Sequence, residues 1–131
     1  MEIFIGGVTL DGPRTFVVFA SEFGAARAEW QSEKYRDDPP ITNERCHVEV
    51  TLDDDFVWNT NVLPTSDRRY RLWQDNTCVH LCGELESVDD DGFSILRMGP
   101  SILPFVATGT PLPLTSFIEV IAEKISLWPW S

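Results

Sequence analysis

Two stretches of this chain alternate apolar and polar residues with a strict period of two, and that pattern constrains the fold more than any other feature. In the first, Val48, Val50 and Leu52 alternate with His47, Glu49 and Thr51. In the second, Val79, Leu81, Gly83 and Leu85 alternate with Cys78, His80, Cys82, Glu84 and Glu86. Successive side chains of a strand point to opposite faces, so each stretch offers one face to a core and one to its surroundings. Turn chemistry brackets both. Asp53, Asp54 and Asp55 close the first, and Asp89-Asp90-Asp91-Gly92 after the second is a strong hairpin signal, with 93–98 as the returning strand.

The remaining segments are placed around this pair. Ile3 and Ile5, the turn Asp11-Gly12-Pro13 and the run Phe16-Val17-Val18-Phe19 predict an N-terminal hairpin. Residues 21–35 read as a helix, because Ala25, Ala26 and Ala28 favour one and Phe23, Ala26 and Trp30 fall at i, i+3, i+7; Gly24 weakens the pattern. Asp37-Asp38-Pro39-Pro40 ends it. Phe56-Val57-Trp58, Val62-Leu63-Pro64, residues 69–73 and residues 101–106 read as further strand material, and Gly109, Pro111 and Pro113 mark a loop. Residues 116–128 carry a capping-box pattern at Ser116 and Glu119, yet Phe117, Ile118, Val120, Ile121 and Ile125 favour extended backbone, so strand is preferred. The expected architecture is mainly β with one N-terminal helix: a small antiparallel, OB-like barrel or sandwich. At 131 residues it forms a single domain, with a hairpin plus helix over 1–36 and the main β unit over 46–131.

Charge narrows the function. Ten Lys and Arg stand against 21 Asp and Glu, a net of −11. Such a field repels phosphate backbones and anionic headgroups and attracts basic surfaces. No stretch approaches the roughly 20 apolar residues of a membrane span. The opening Met1-Glu2-Ile3-Phe4-Ile5-Gly6-Gly7-Val8 lacks a basic run, so no secretory leader is expected. Three cysteines, Cys46, Cys78 and Cys82, are too few and too odd in number for a disulfide framework, which points to a reducing cytoplasm.

The residues able to carry chemistry fall short of a catalytic pattern. Cys78, His80 and Cys82 share a strand face, but positions two apart are separated by about 6.6 Å along the axis. Zinc needs its ligands within about 2.3 Å of one point, so this trio is a minor metal hypothesis. Two histidines and three cysteines allow a Cys–His pair, yet there is no nucleophile elbow and no phosphate-cradling loop. Glu84 and Glu86 sit two apart on a strand face and read as a solvated face, not as an acid–base pair. Arg68-Arg69-Tyr70-Arg71-Leu72-Trp73 interleaves arginines with aromatics in the manner of a single-strand binder, but within a strongly negative field. Neither enzyme chemistry nor a cofactor nor nucleic acid is expected.

Five tryptophans exceed what a core of this size requires, and Trp128-Pro129-Trp130 places two large rings together. Tryptophan concentrates in interface hot spots because it offers a large area and one donor. The candidate partner-binding residues are therefore Trp58, Trp128 and Trp130 with the acids Asp53, Asp54, Asp55, Glu84, Glu86, Asp89, Asp90 and Asp91. The run from Cys46 to Leu63, opening Cys46-His47-Val48-Glu49-Val50-Thr51-Leu52-Asp53-Asp54-Asp55-Phe56-Val57-Trp58-Asn59, the run from Gly83-Glu84-Leu85 through Asp91-Gly92 to Ile95-Leu96-Arg97, and Ile125-Ser126-Leu127-Trp128-Pro129 together resemble the small acidic immunity proteins of bacterial polymorphic-toxin loci. The resemblance implies a stoichiometric inhibitor that blocks a partner, here a basic one, through acidic and aromatic surface, and such families share no catalytic residues to carry over. The competing reading is a β-barrel that binds a small ligand or metal.

Overall fold

The computed structural model describes residues 1–31 and 39–130. Twelve strands fill it: β1 (Glu2–Asp11), β2 (Arg14–Ser21), β3 (Gly24–Trp30), β4 (Arg45–Leu52), β5 (Phe56–Val57), β6 (Val62–Pro64), β7 (Arg71–Gln74), β8 (Val79–Val88), β9 (Phe93–Met98), β10 (Ser101–Thr108), β11 (Phe117–Ala122) and β12 (Ile125–Pro129). No helix occurs among the described residues.

The expected helix over 21–35 is corrected where it is described. Gly24–Trp30 is strand, with Ala26, Ala28 and Trp30 buried and Ala25, Arg27 and Glu29 turned outward. Trp30 and Ala26 satisfy a period of two as readily as the helical spacing. Pairing with β2 over its whole length then overrides the intrinsic preference of alanine. Residues 32–35, and the Asp37-Asp38 end of the predicted break, lie outside the described residues. Strand was the better reading of 116–128, which forms β11 and β12.

The barrel is built from different strands than the sequence indicates. It is a closed five-strand ring in the order β1, β2, β3, β12, β4, with β4 returning to β1 and β12 running parallel to β3. The N-terminal hairpin is thus barrel wall and no appendage. Ile3, Ile5, Val17, Phe19, Ala26, Val48, Val50, Ile125 and Leu127 are buried from all five of its strands.

The second unit is organised by β8. Cys82 pairs with both Arg71 of β7 and Glu119 of β11, and Glu84 pairs with both Arg97 of β9 and Phe117 of β11. Strands β7 and β9 therefore follow one another along a single edge, with β11 along the other. Gly83 stands at the handover, and a Cβ there would lie 2.4 Å from the Arg97 carbonyl oxygen. β10 pairs with β9, and β5 adds two residues in parallel at its far end. The two units are joined at Gly24, which pairs in parallel with Leu72 of β7.

Candidate functional site

The outward face of the β9–β10 hairpin is apolar where a solvated face would be polar. Leu96, Met98, Leu103, Phe105 and Ala107 point into the core. The opposite parity carries three cross-strand pairs: Phe93 with Val106, Ile95 with Pro104, and Arg97 with Ile102. Phe93 is 47% exposed, Val106 52% and Ile102 58%. Trp130, 64% exposed, joins this face: with Phe93, Ile95, Ile102 and Pro104 it lines a groove of about 570 Å³, whose other wall is Val48, Glu49 and Val50 of β4. One end of the face abuts the turn Asp89-Asp90-Asp91, and Glu49 stands in the groove's opposite wall.

The acids predicted to face a partner divide into two groups. Several are committed to the fold. Asp53 accepts from the Ser126 hydroxyl at 2.6 Å. Asp54 accepts from the backbone N–H groups of Glu123 and Lys124, at 2.6 and 3.2 Å, and so closes the β11–β12 turn. Asp89 caps its own hairpin through the N–H groups of Asp91 and Phe93. Glu84 holds Arg97 at 2.6 Å, with Glu86 at 4.0 Å on the same guanidinium. The side chains of Asp55, Asp90 and Asp91 have no such role among the described residues. They are the acids left to meet a partner.

The tryptophans divide in the same way. Trp58 is 4% exposed and packs edge-on against Phe105, so its expected place on a binding surface is corrected: it is core. Trp128 is partly exposed on the barrel, opposite Glu49 in the ladder, and its indole N–H donates to Thr51 Oγ1. Trp130 leans on His47 with ring centroids 5.8 Å apart. Phe93, Ile102 and Val106 escaped the sequence reading because both parities of their strands are apolar. A run of that kind reads as a strand buried on both faces.

A polar cluster on β7, β8 and β11 accounts for the other suspected chemistry. His80 stacks on Trp73 at 4.8 Å, its Nε2 lies 2.7 Å from Asp75 and its Nδ1 3.3 Å from Glu119. Cys82 donates its thiol to Glu119, and burial, reinforced by that carboxylate, pushes its pKa up to about 12. A thiol so held is protonated at neutral pH and is a poor nucleophile. Cys78 accepts from the Thr77 hydroxyl instead, so the structure does not gather Cys78, His80 and Cys82 on one point. Among the described residues no three metal-ligating side chains are arranged to hold an ion. The arginine-rich segment is likewise internally satisfied. Arg69 and Arg71 share Asp67, whose carboxyl their hydrogen bonds lower to about 2, Arg71 lies over Trp73, and Arg68 lies over Phe117.

The cluster makes stability depend on pH in a defined direction. Burial alone would lower the pKa of His80, but the carboxylates of Asp75 and Glu119 outweigh it and raise the value. Asp75 is lowered, first by His80 and then by the N–H groups of Thr77 and Cys78. The contribution of His80 is complete below about pH 6.5 and is lost as pH rises through its raised value. That of Asp75 is complete above about pH 4 and is lost on acidification. The cluster therefore stabilises most between those limits. His80→Gln should flatten the fall in urea midpoint between about pH 6.5 and pH 8.5; parallel profiles for the two proteins would refute this assignment.

Comparison with protein-family models, curated proteins and solved structures finds no match to this chain.

Proposed function

We propose that the chain is a non-enzymatic acidic protein-binding module of the immunity or antitoxin type, which blocks a basic partner protein with the outward face of β9 and β10 and with Trp130. The observation that carries this reading is the shared exposure of Phe93, Ile102 and Trp130 along one groove, with Val106 exposed beside Phe93 on the same sheet face. Soluble domains rarely leave large apolar side chains contiguous and uncovered unless something docks there. Aromatic anchors ringed by polar groups are the usual composition of an interface hot spot. Charge selects the partner: the net of −11, with Asp55, Asp90 and Asp91 free to act, favours a basic surface and repels an acidic one.

Two finer statements belong to the same reading. The closed ring, with the last strand lying between the third and the fourth, supports an OB-like description of the barrel. The three cysteines are free thiols, which supports a reducing, cytoplasmic setting.

The test compares immobilised wild-type protein with a Phe93→Asp, Ile102→Asp double variant of matching circular dichroism. Wild type should retain a basic host protein in equimolar amount and inhibit its activity, and the variant should retain none. The association rate should fall on the order of tenfold between about 50 mM and about 500 mM NaCl. Equal retention by both proteins, or a rate indifferent to salt, overturns the proposal.

A further inference from the structure

Trp130 stands between two adjoining cavities. It lines the apolar groove described above and also a second cavity of about 850 Å³, and Met1, Pro100 and Ser101 line both. One wall of the second cavity is the outer surface of the barrel. There Glu2 of β1 lies opposite His47 of β4, and the Trp130 N–H donates to the His47 carbonyl at 3.0 Å. His47 Nε2 lies 3.6 Å from the Glu2 carboxylate, which also holds Arg45 at 3.4 Å. These contacts steady the indole from the side on which it leans on His47, and its 64% exposure leaves the rest of the ring to a ligand. Beyond Glu2, at the far end of the same cavity, Glu22 occupies the turn between β2 and β3.

The charges around this cavity are unequally committed. Arg45 is engaged by Glu2, and the Met1 ammonium donates to the Val48 carbonyl at 2.8 Å. Glu22 has neither a hydrogen bond nor an ion pair among the described residues. The cavity thus offers an uncovered ring at one end and an unmatched carboxylate at the other. Strands β12, β4, β1 and β2 follow one another around the barrel, so about three strand spacings, about 14 Å, separate Trp130 from Glu22. Four residues of extended chain cover about 13 Å. We propose that the partner's docking segment leaves the apolar groove at Trp130 and crosses the barrel wall transverse to its strands. It sets an apolar residue against Trp130 and Ile102 and a basic residue, about four positions away, at Glu22. The segment is held by side chains and adds no strand, because β4 lies along the outer edge of β10 and β5 pairs with its end. This rests on the docking surface proposed above and names what its partner carries. Charge complementarity selects the occupant: the free carboxylate lies in the field of a chain of net charge −11, which draws a cation and repels a second copy.

An NMR titration of the intact protein tests this, with the acetylated, amidated peptide Leu-Ala-Ala-Ala-Arg as the probe, in this order and reversed. Its counterpart carries citrulline, which keeps the shape of arginine and lacks the charge. In wild type the better arginine peptide should shift the Trp130 indole N–H and the Ile102 methyl signals. It should bind at least about threefold more tightly than the citrulline peptide, the scale of one exposed ion pair. Glu22→Gln should abolish that preference while leaving the citrulline peptide's affinity unchanged. Glu123→Gln removes the same charge from the β11–β12 turn and should keep the preference, because about 150 mM salt screens charges beyond about 8 Å. A preference that survives Glu22→Gln, or that falls equally in both variants, overturns the proposal. Shifts of Trp130 and Ile102 by both peptides with equal affinity also overturn it, while leaving the docking surface intact. Absence of any shift at Trp130 overturns the crossing, and the partner-capture experiment then decides the docking surface separately.

Discussion

Gly24→Ala should destabilise the fold by about 3 kcal/mol or more, seen as a lower urea midpoint and in the extreme as failure to fold. Gly24 has φ of 143°, a conformation that side chains rarely adopt. A Cβ at this position would lie 1.7 Å from the Leu72 carbonyl oxygen and 2.9 Å from its carbon. Both are backbone atoms, so no rotamer change relieves the overlap. Leu72 is also held there by its own N–H, which donates to the Phe23 carbonyl at 2.9 Å. The added methyl must therefore push β7 away from the barrel at the joint between the two units. Gly7→Ala is the control: nothing lies within 4 Å of a Cβ there, and the change should stay within about 0.5 kcal/mol. A Gly24→Ala protein as stable as the Gly7→Ala protein would refute the close approach.

Trp58→Ala should cost about 3–5 kcal/mol, the range for deleting a large buried ring. The indole packs edge-on against Phe105 at 5.8 Å, and Phe105 in turn meets Phe56 at 5.8 Å, so removing it leaves a cavity beside Phe105 and loosens the support of that aromatic pair. Trp130→Ala removes a ring of the same size from the surface and should shift stability by less than about 1 kcal/mol. Its effect should appear in partner binding instead. Urea denaturation of the two variants, alongside wild type, separates a core tryptophan from a docking one. Similar stability losses in both would place Trp130 in the core as well.

Much of the β pattern was legible because it is local. The alternation at 47–52 and 79–85, the turns at Gly12 and at Asp89 to Gly92, and the extended character of 116–128 follow from side-chain parity and turn chemistry within a few residues. The segment at 24–30 was misread because its apolar residues fit two periods at once. Only the pairing with β2 on one side, and the approach of Leu72 at Gly24, separates them. The acidic residues were legible as a charge and not as a site. Whether an Asp caps a turn, as Asp54 and Asp89 do, or stands free, as Asp90 does, depends on which N–H groups the fold brings within reach.

By itself, then, the sequence determined a mainly β chain of strongly negative charge, with its turns in place and its tryptophans unassigned. Tertiary structure decided which strands close the barrel, since β12 reaches β3 and β4 across more than seventy residues of intervening chain. It also decided which apolar parity of β9 and β10 is covered. The two faces of that hairpin are almost equally apolar in composition, and a face becomes core only when another layer is packed against it. Leu96, Leu103 and Phe105 have that layer; Phe93, Ile102 and Val106 do not.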